Sequence, residues 1–451
     1  MANTWTIGSG GNFATIADAM ASGSVLAGDT IELINNYANE AATVTVGNLT
    51  VTNAAGSTDS GIRLTLGAGI AGVTLAGDQP IAVTGNDIAD TITGNAGDND
   101  IAAGTGGGSF IGGPGNDTLT AVPSTGTGMF DGGPGRDRLV VNYSATIGNV
   151  VGGVGDVGTI DGGKGGFSDS GGSSLSFDNI NDITLTTGTG NDSILIGDGD
   201  DVINLGRGGN DSVNAGAGND TLIADFSLST APVSGGNLTG TLAAGYSGSF
   251  TDGTRTLSFE RVENFRVTGG SGGDTLGGGA GDDTFTGGAG NDRFVYARGG
   301  GADTITDFTA GAGTDDDVDL TAFTNIHSLG AVLSRATESN GNTALNFGNG
   351  DTLTLDGVTK ASLSADDFAL APGKPPPTDF NGDGMSDVLW QNDSGAVSIW
   401  EMNGTSVLSN PTLGVNPGPA WHAIGSGDFN GDGFADVLWQ NDSGAVSIWE
   451  M

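Results

Sequence analysis

A nine-residue pattern, G-G-x-G-x-D-x-U-x with U a large apolar residue, recurs through the middle of this chain. Clear copies are residues 112–120 (GGPGNDTLT), 132–140 (GGPGRDRLV), 278–286 (GGAGDDTFT) and 287–295 (GGAGNDRFV). These carry Asp117, Asp137, Asp283 and Asp292, and looser copies carry Asp90, Asp192, Asp201, Asp211, Asp220, Asp274 and Asp303. The spacing is nine between Asp274, Asp283 and Asp292, and nine, ten and nine from Asp192 through Asp201 and Asp211 to Asp220. A fixed short period marks a solenoid, in which each repeat buries its apolar face only by stacking on its neighbours. A flexible glycine-rich linker has no use for an apolar residue at every ninth position.

The composition needs such an architecture. Glycine occurs 86 times and aromatics make up 6% of the chain. Glycine brings no side chain to a core and loses the most backbone entropy on folding. In the nonad the first six residues form a turn whose carbonyls face inward, the Asp adds a carboxylate, and x-U-x is a short strand. The formal net charge is −40, from 53 acidic against 13 basic residues. That charge repels nucleic acid and anionic membranes, so neither is expected as a partner. Stacked turns bring the aspartates into register, where they repel one another. Calcium takes six to eight oxygens and suits such a cage, so metal binding and folding are expected to be one event.

These nonads resemble the RTX (repeats-in-toxin) calcium-binding repeats. The resemblance implies calcium ions held between turns, by the eleven aspartates named above, in a secreted protein. Residues 301–371 are similar to the segment that closes many RTX proteins, which seals the roll and lies near an uncleaved signal for type I secretion. Two repeats depart from the pattern: Asn99 and Gly108 stand where Asp is expected. The first block should therefore hold fewer ions. Residues 121–131 interrupt the pair around Asp117 and Asp137. A longer repeat overlies the nonads, with Leu175-Ser176-Phe177 matching Leu257-Ser258-Phe259. The stretches between read as β-hairpin or extra-rung insertions.

Residues 1–84 lack nonads. Phe13–Met20 has helical spacing and short alternating β runs follow, which suggests β-helix rungs with a helix plugging the open end. This opening resembles pectate-lyase-like β-helices, an architecture that carries no activity by itself. There is neither a basic n-region nor an apolar h-region at the start, and no apolar run is long enough to cross a bilayer. Cysteine is absent, which excludes disulfides and thiolate metal sites.

Residues 372–378 form a stiff proline-rich linker. Beyond it a second repeat of period 49 begins: DFNGDG at 379–384 recurs at 428–433, and DVLWQNDSGAVSIWEM at 387–402 recurs letter for letter at 436–451. This resembles FG-GAP or VCBS repeats. Asp379, Asn381, Asp383 and Asp387, and in the second copy Asp428, Asn430, Asp432 and Asp436, have the spacing of a calcium loop. A propeller needs several such blades, and the sequence stops inside the second copy. Trp390, Trp400, Trp439 and Trp449 are read as core, with sugar stacking as the alternative.

Catalysis finds little support. His327 and His422 are the only histidines, and neither an H-E-x-x-H helix nor a G-x-S-x-G elbow occurs. The sequence therefore points to an all-β protein. Its expected fold is a right-handed parallel β-helix or β-roll solenoid with insertions, plus a small C-terminal β repeat module at 379–451. Residues 1–84 form the cap region and 85–300 the calcium blocks. The expected function is a non-enzymatic, extracellular calcium-binding protein of structural or adhesive role, with cell-surface polysaccharide or self-assembly as partner. The alternative is a carbohydrate-active β-helix protein of lyase or epimerase type, or its accessory module.

Overall fold

The computed structural model describes residues 2–123, 127–156, 163–235, 238–313, 316–371, 378–383, 385–403, 406–412, 417–430 and 434–451. The linker at 372–377 and Asp432 lie outside them. The chain forms two compact units, one of residues 1–225 with 237–266 and one of 226–236 with 267–451.

The first unit is a stack of short strands that alternate between two parallel sheets. Thr4–Ile7, Thr30–Leu33, Leu49–Asn53, Gly72–Ala76, Asp90–Thr93 and Gly108–Ile111 pair in parallel, each with the next, along one sheet. Ala41–Val44, Ile62–Leu66, Ile81–Thr84, Asp100–Ala102, Thr118–Ala121 and Arg138–Asn142 do the same along the other, which continues to Thr221–Asp225. Period-2 alternation drives this arrangement, because successive side chains of a strand point to opposite faces. Ile31, Val51, Leu75, Ile92 and Phe110 point inward from the first sheet, and Leu64, Val83, Ile101, Leu119 and Leu139 from the second; all are buried.

The two insertions are antiparallel, as the hairpin reading expects. Val150–Asp156, Gly163–Asp169 and Ser174–Ile180 form one meander, and Gly245–Thr251 with Thr256–Val262 forms the second hairpin. Their outer strands rejoin the parallel ladder at Ser193–Leu195 and Asp211–Asn214. The N-terminal helix is shorter than the sequence suggests. It spans Ile16–Ala21, begins at the Thr15 cap and buries Ile16 and Ala19. Glu40 accepts the N–H groups of Ile16 and Ala17, which satisfies donors that the first helical turn leaves open.

In the second unit Thr275–Leu276, Arg293–Val295, Asp317–Asp319 and Phe368–Ala369 stack in parallel. Thr284–Thr286, Ala302–Ile305 and Asp351–Leu355 form the facing sheet. An antiparallel hairpin and a helix, Leu329–Leu333, close this end. The period-49 region forms two three-stranded meanders, the second of which takes its first strand, Trp421–Gly427, from the end of the first copy, and Phe380, Val397, Ile399, Ala435, Val437 and Trp439 form one buried cluster there. Trp439 is fully buried, whereas its counterpart Trp390 is 43% exposed, so identical sequences occupy unlike environments.

Candidate metal centre

The nonad aspartates of the first unit stand in a file along each sheet, just ahead of the inward strand residue. Except for Asp90, which accepts from Asn86 N of its own turn, each carboxylate reaches back to the turn before and accepts a backbone N–H. Asn99 N donates to Asp117 Oδ1 at 2.7 Å, Asp117 N to Asp137 Oδ1 at 2.8 Å, and Asp201 N to Asp220 Oδ1 at 2.9 Å. On the other sheet Asp192 N donates to Asp211 Oδ1 at 3.0 Å. The second unit repeats the device: Asp274 N to Asp292 Oδ1 at 2.8 Å and Asp283 N to Asp303 Oδ1 at 3.0 Å. The second carboxylate oxygen folds over the first glycine of its own nonad. A Cβ on Gly112 would lie 2.4 Å from Asp117 Oδ2, and one on Gly287 2.3 Å from Asp292 Oδ2. That glycine is therefore required by the carboxylate it shelters.

The nonad reading missed three members of these files. Asp137 N donates to Asn181 Oδ1, Asp220 N to Glu263 Oε2 and Asp292 N to Asp316 Oδ1. Asn181 and Glu263 are separated by the same offset as Leu175 and Leu257, so the longer repeat held the signal.

The expected cage of several carboxylates is not what forms. Among the described residues no three His, Cys, Asp or Glu side chains gather closely enough to hold a metal together. From Asp117 onward one carboxylate oxygen is committed to the turn before it. What remains is one further oxygen per turn. In Asp117, Asp137, Asp201 and Asp220 this Oδ2 is buried and accepts no hydrogen bond. Loss of water on burial pushes Asp201 and Asp220 up to about 8, Asp117 to about 7 and Asp137 to about 6. In the second unit burial raises Asp303 to about 9 and Asp292 to about 6. Turns ~4.8 Å apart bring neighbouring charges close enough to repel by roughly 3 kcal/mol per pair at an effective dielectric near 20. The ionised file needs a counter-charge, and a hard cation bound by one carboxylate and several backbone carbonyls fits this donor set.

The turns below Asp117 solve the problem differently. Asn86 Nδ2 donates to the carbonyls of Gly67 and Ile70, at 2.9 and 2.7 Å. Asn95 Nδ2 donates to those of Ala76 and Gln79, at 3.2 and 2.9 Å. Here a carboxamide satisfies inward carbonyls of the previous turn. Asn99 carries no charge, and its Oδ1 accepts from Asn95 N at 2.8 Å. Asp90 is buried, but Gly108 leaves the next turn of its file without a carboxylate.

In the C-terminal repeats Asp387 and Asp436 each accept two backbone N–H groups. Asp387 accepts from Phe380 N at 2.9 Å and Met402 N at 3.0 Å, and Asp436 accepts from Phe429 N at 2.8 Å and Met451 N at 3.0 Å. Each therefore ties its loop to the far end of a strand of its own copy, Val397–Asn403 or Val446–Trp449. Asp379 Oδ1 accepts from Gly382 N and Asp383 N, and Asp383 Oδ1 from Met385 N. Two loop carbonyls are also engaged, Gly382 by Ser328 Oγ at 2.6 Å and Asp383 by Arg335 Nη1 at 3.3 Å. Asn381 Nδ2 turns toward Asp383 Oδ2 at 3.1 Å. Asp379, Asp383 and Asp387 thus form no three-carboxylate group. In the second copy Asp428 is half-buried and Asn430 exposed.

This geometry meets a family at one end of the chain. Residues 379–439 match the FG-GAP-like repeat family. The match falls within the period-49 module. No curated protein sequence matches the chain. Among solved structures it is similar to the extracellular lipase LipA of Serratia marcescens, with 16% identity and a TM-score of 0.20. That match covers 76% of this chain and 45% of the lipase. The β-roll architecture rests on the strand register itself.

Proposed function

We propose that this is an extracellular, non-enzymatic calcium-binding protein of structural or adhesive role, whose nonad turns become stable when calcium neutralises the aspartate file. The observation that carries the reading is the run of buried Oδ2 atoms without a donor at Asp117, Asp137, Asp201 and Asp220. A buried carboxylate oxygen left unpaired costs several kcal/mol when ionised, so a sequence that repeats one turn after turn needs a partner for it. Asp192, Asp274, Asp283, Asp292 and Asp303 would add carboxylate oxygens to ions held between their turns, together with backbone carbonyls. Calcium supplies the missing positive charge there and does no chemistry. Millimolar extracellular calcium suits sites with so few carboxylates. The adhesion partner on this reading is a surface polysaccharide or a further copy of the chain.

Circular dichroism during calcium titration, with magnesium as control, tests the proposal. Calcium is expected to raise the β signal and magnesium to leave it low, because magnesium dehydrates reluctantly and demands tight octahedral geometry. Equal β content in chelator would overturn the reading.

A further inference from the structure

One turn of the first unit already holds a cation of its own. Arg255 sits in the turn of the hairpin Gly245–Thr251/Thr256–Val262 and is 8% exposed. Its Nη1 donates to the carbonyl of Asp225 at 2.6 Å and its Nη2 to that of Gly206 at 3.0 Å. The same Nη2 lies 3.4 Å from Asp211 Oδ2, whose side chain is fully buried. The hairpin turn is built to deliver it: Asp252 Oδ1 accepts from Thr254 N at 2.8 Å and Arg255 N at 2.7 Å, and Thr256 N donates to Asn210 Oδ1 at 2.8 Å. One guanidinium therefore engages a carboxylate and two main-chain carbonyls at the ends of strands that stack in this unit. That is the donor set a metal would need at this turn.

We infer that Arg255 replaces the metal ion at the Asp211 turn, so that this rung binds no calcium and holds its shape without it. The planar guanidinium, always charged and rich in donors, meets several carbonyls at once and brings its charge without having to be captured from solution. Asn86 and Asn95 already show a side-chain N–H group spanning two inward carbonyls elsewhere in the unit; Arg255 does so with a full charge, opposite a carboxylate. The corresponding place in the first insertion is Ser173, which brings no cation. A break in the metal file therefore falls where the second insertion leaves the solenoid.

The inference rests on the calcium reading for the neighbouring turns, and the experiment separates the two. Bound calcium is counted by native mass spectrometry on the full chain and its Asp211→Asn and Asp220→Asn variants. Backbone hydrogen exchange at 206–211 and 252–256 is followed in chelator, with and without Arg255→Gln. The expected results are an unchanged count in D211N, a lower count in D220N, and amides that are protected in chelator and lose at least ~10-fold protection in R255Q, the effect of about 1.4 kcal/mol. A lower count in D211N overturns the inference. So do amides already unprotected in chelator, or an R255Q variant that exchanges like the parent. An unchanged count in D220N, or no calcium in the parent, instead removes the calcium reading and leaves the exchange result to decide this one.

Discussion

The turns before residue 100 and those from Asp117 to Asp220 share a backbone path, a strand register and a buried apolar ladder, yet they differ in what faces their inward carbonyls. In the earlier region Asn86 and Asn95 bring their own N–H donors to the carbonyls of the turn before, and Asp90 is the one nonad aspartate among these turns. In the later region glycine stands at that position (Gly113, Gly133, Gly197, Gly216), and the carboxylate four residues on satisfies the previous turn's N–H and leaves one oxygen with nothing to accept. The difference is a trade between autonomy and conditional order. A carboxamide costs no charge and needs no ligand; a carboxylate file makes folding answer to the surroundings.

The largest effect should come from removing divalent ions. In chelator, amides of residues 118–123, 127–142, 201–205 and 212–225 are expected to lose hydrogen-exchange protection while those of 30–84, and of the Arg255 turn at 206–211, keep theirs; equal exchange in both regions breaks the comparison. Next comes pH. Asp201 and Asp220, raised to about 8 by burial, bind protons more tightly folded than unfolded. Their contribution in chelator is fully present below the unfolded value near 4 and is lost as pH rises through about 8. The metal-free protein should therefore melt at least ~5 °C higher at pH 5 than at pH 8. With calcium the trend should reverse, because protons and the ion compete for the same oxygens. Thermal scans at both pH values decide it, and a flat profile in chelator counts against the buried charge.

Asp201→Asn should sharpen the contrast by acting in opposite directions. With calcium it should destabilise by about 1–3 kcal/mol, and in chelator it should be neutral or stabilising, since it removes a charge that nothing balances. Denaturant melts under the two conditions check this, and the same sign in both would contradict it. The smallest expected effect is that of Asn95→Ala, which removes two bonds to carbonyls of the turn below. A loss of about 1–2 kcal/mol is expected, equal with and without calcium. A calcium-dependent loss would erase the distinction between the regions.

Much of this was legible in the sequence because period and side-chain chemistry coincide. The spacing of Asp192, Asp201, Asp211 and Asp220 placed each at the same point of its turn, and Asn99 and Gly108 marked where the file lapses. The hairpin insertions followed from the longer repeat. What the carboxylates do with their oxygens was hidden, because a motif names a residue and not its hydrogen bonds. Asp387 shows this well: its spacing fits a metal loop, but two backbone N–H groups claim it. Arg255 was hidden for another reason, since its partner Asp211 lies 44 residues away and only the hairpin brings them together. Asn86 and Asn95 looked like ordinary loop asparagines, whose side chains have many local uses.

The back-reaching carboxylates also set the size in which such a molecule can grow or shrink. Where no insertion or longer loop intervenes, consecutive partners in a file are 18 to 20 residues apart, which is one circuit through both sheets. Removing a whole circuit would leave each remaining aspartate facing an amide one level below. Excising a single nonad would send every later strand to the opposite wall and strand the hairpins and the closing helix on the wrong side. Length variation among chains built this way should come in whole circuits, much as a spiral stair is shortened by storeys and never by half-landings.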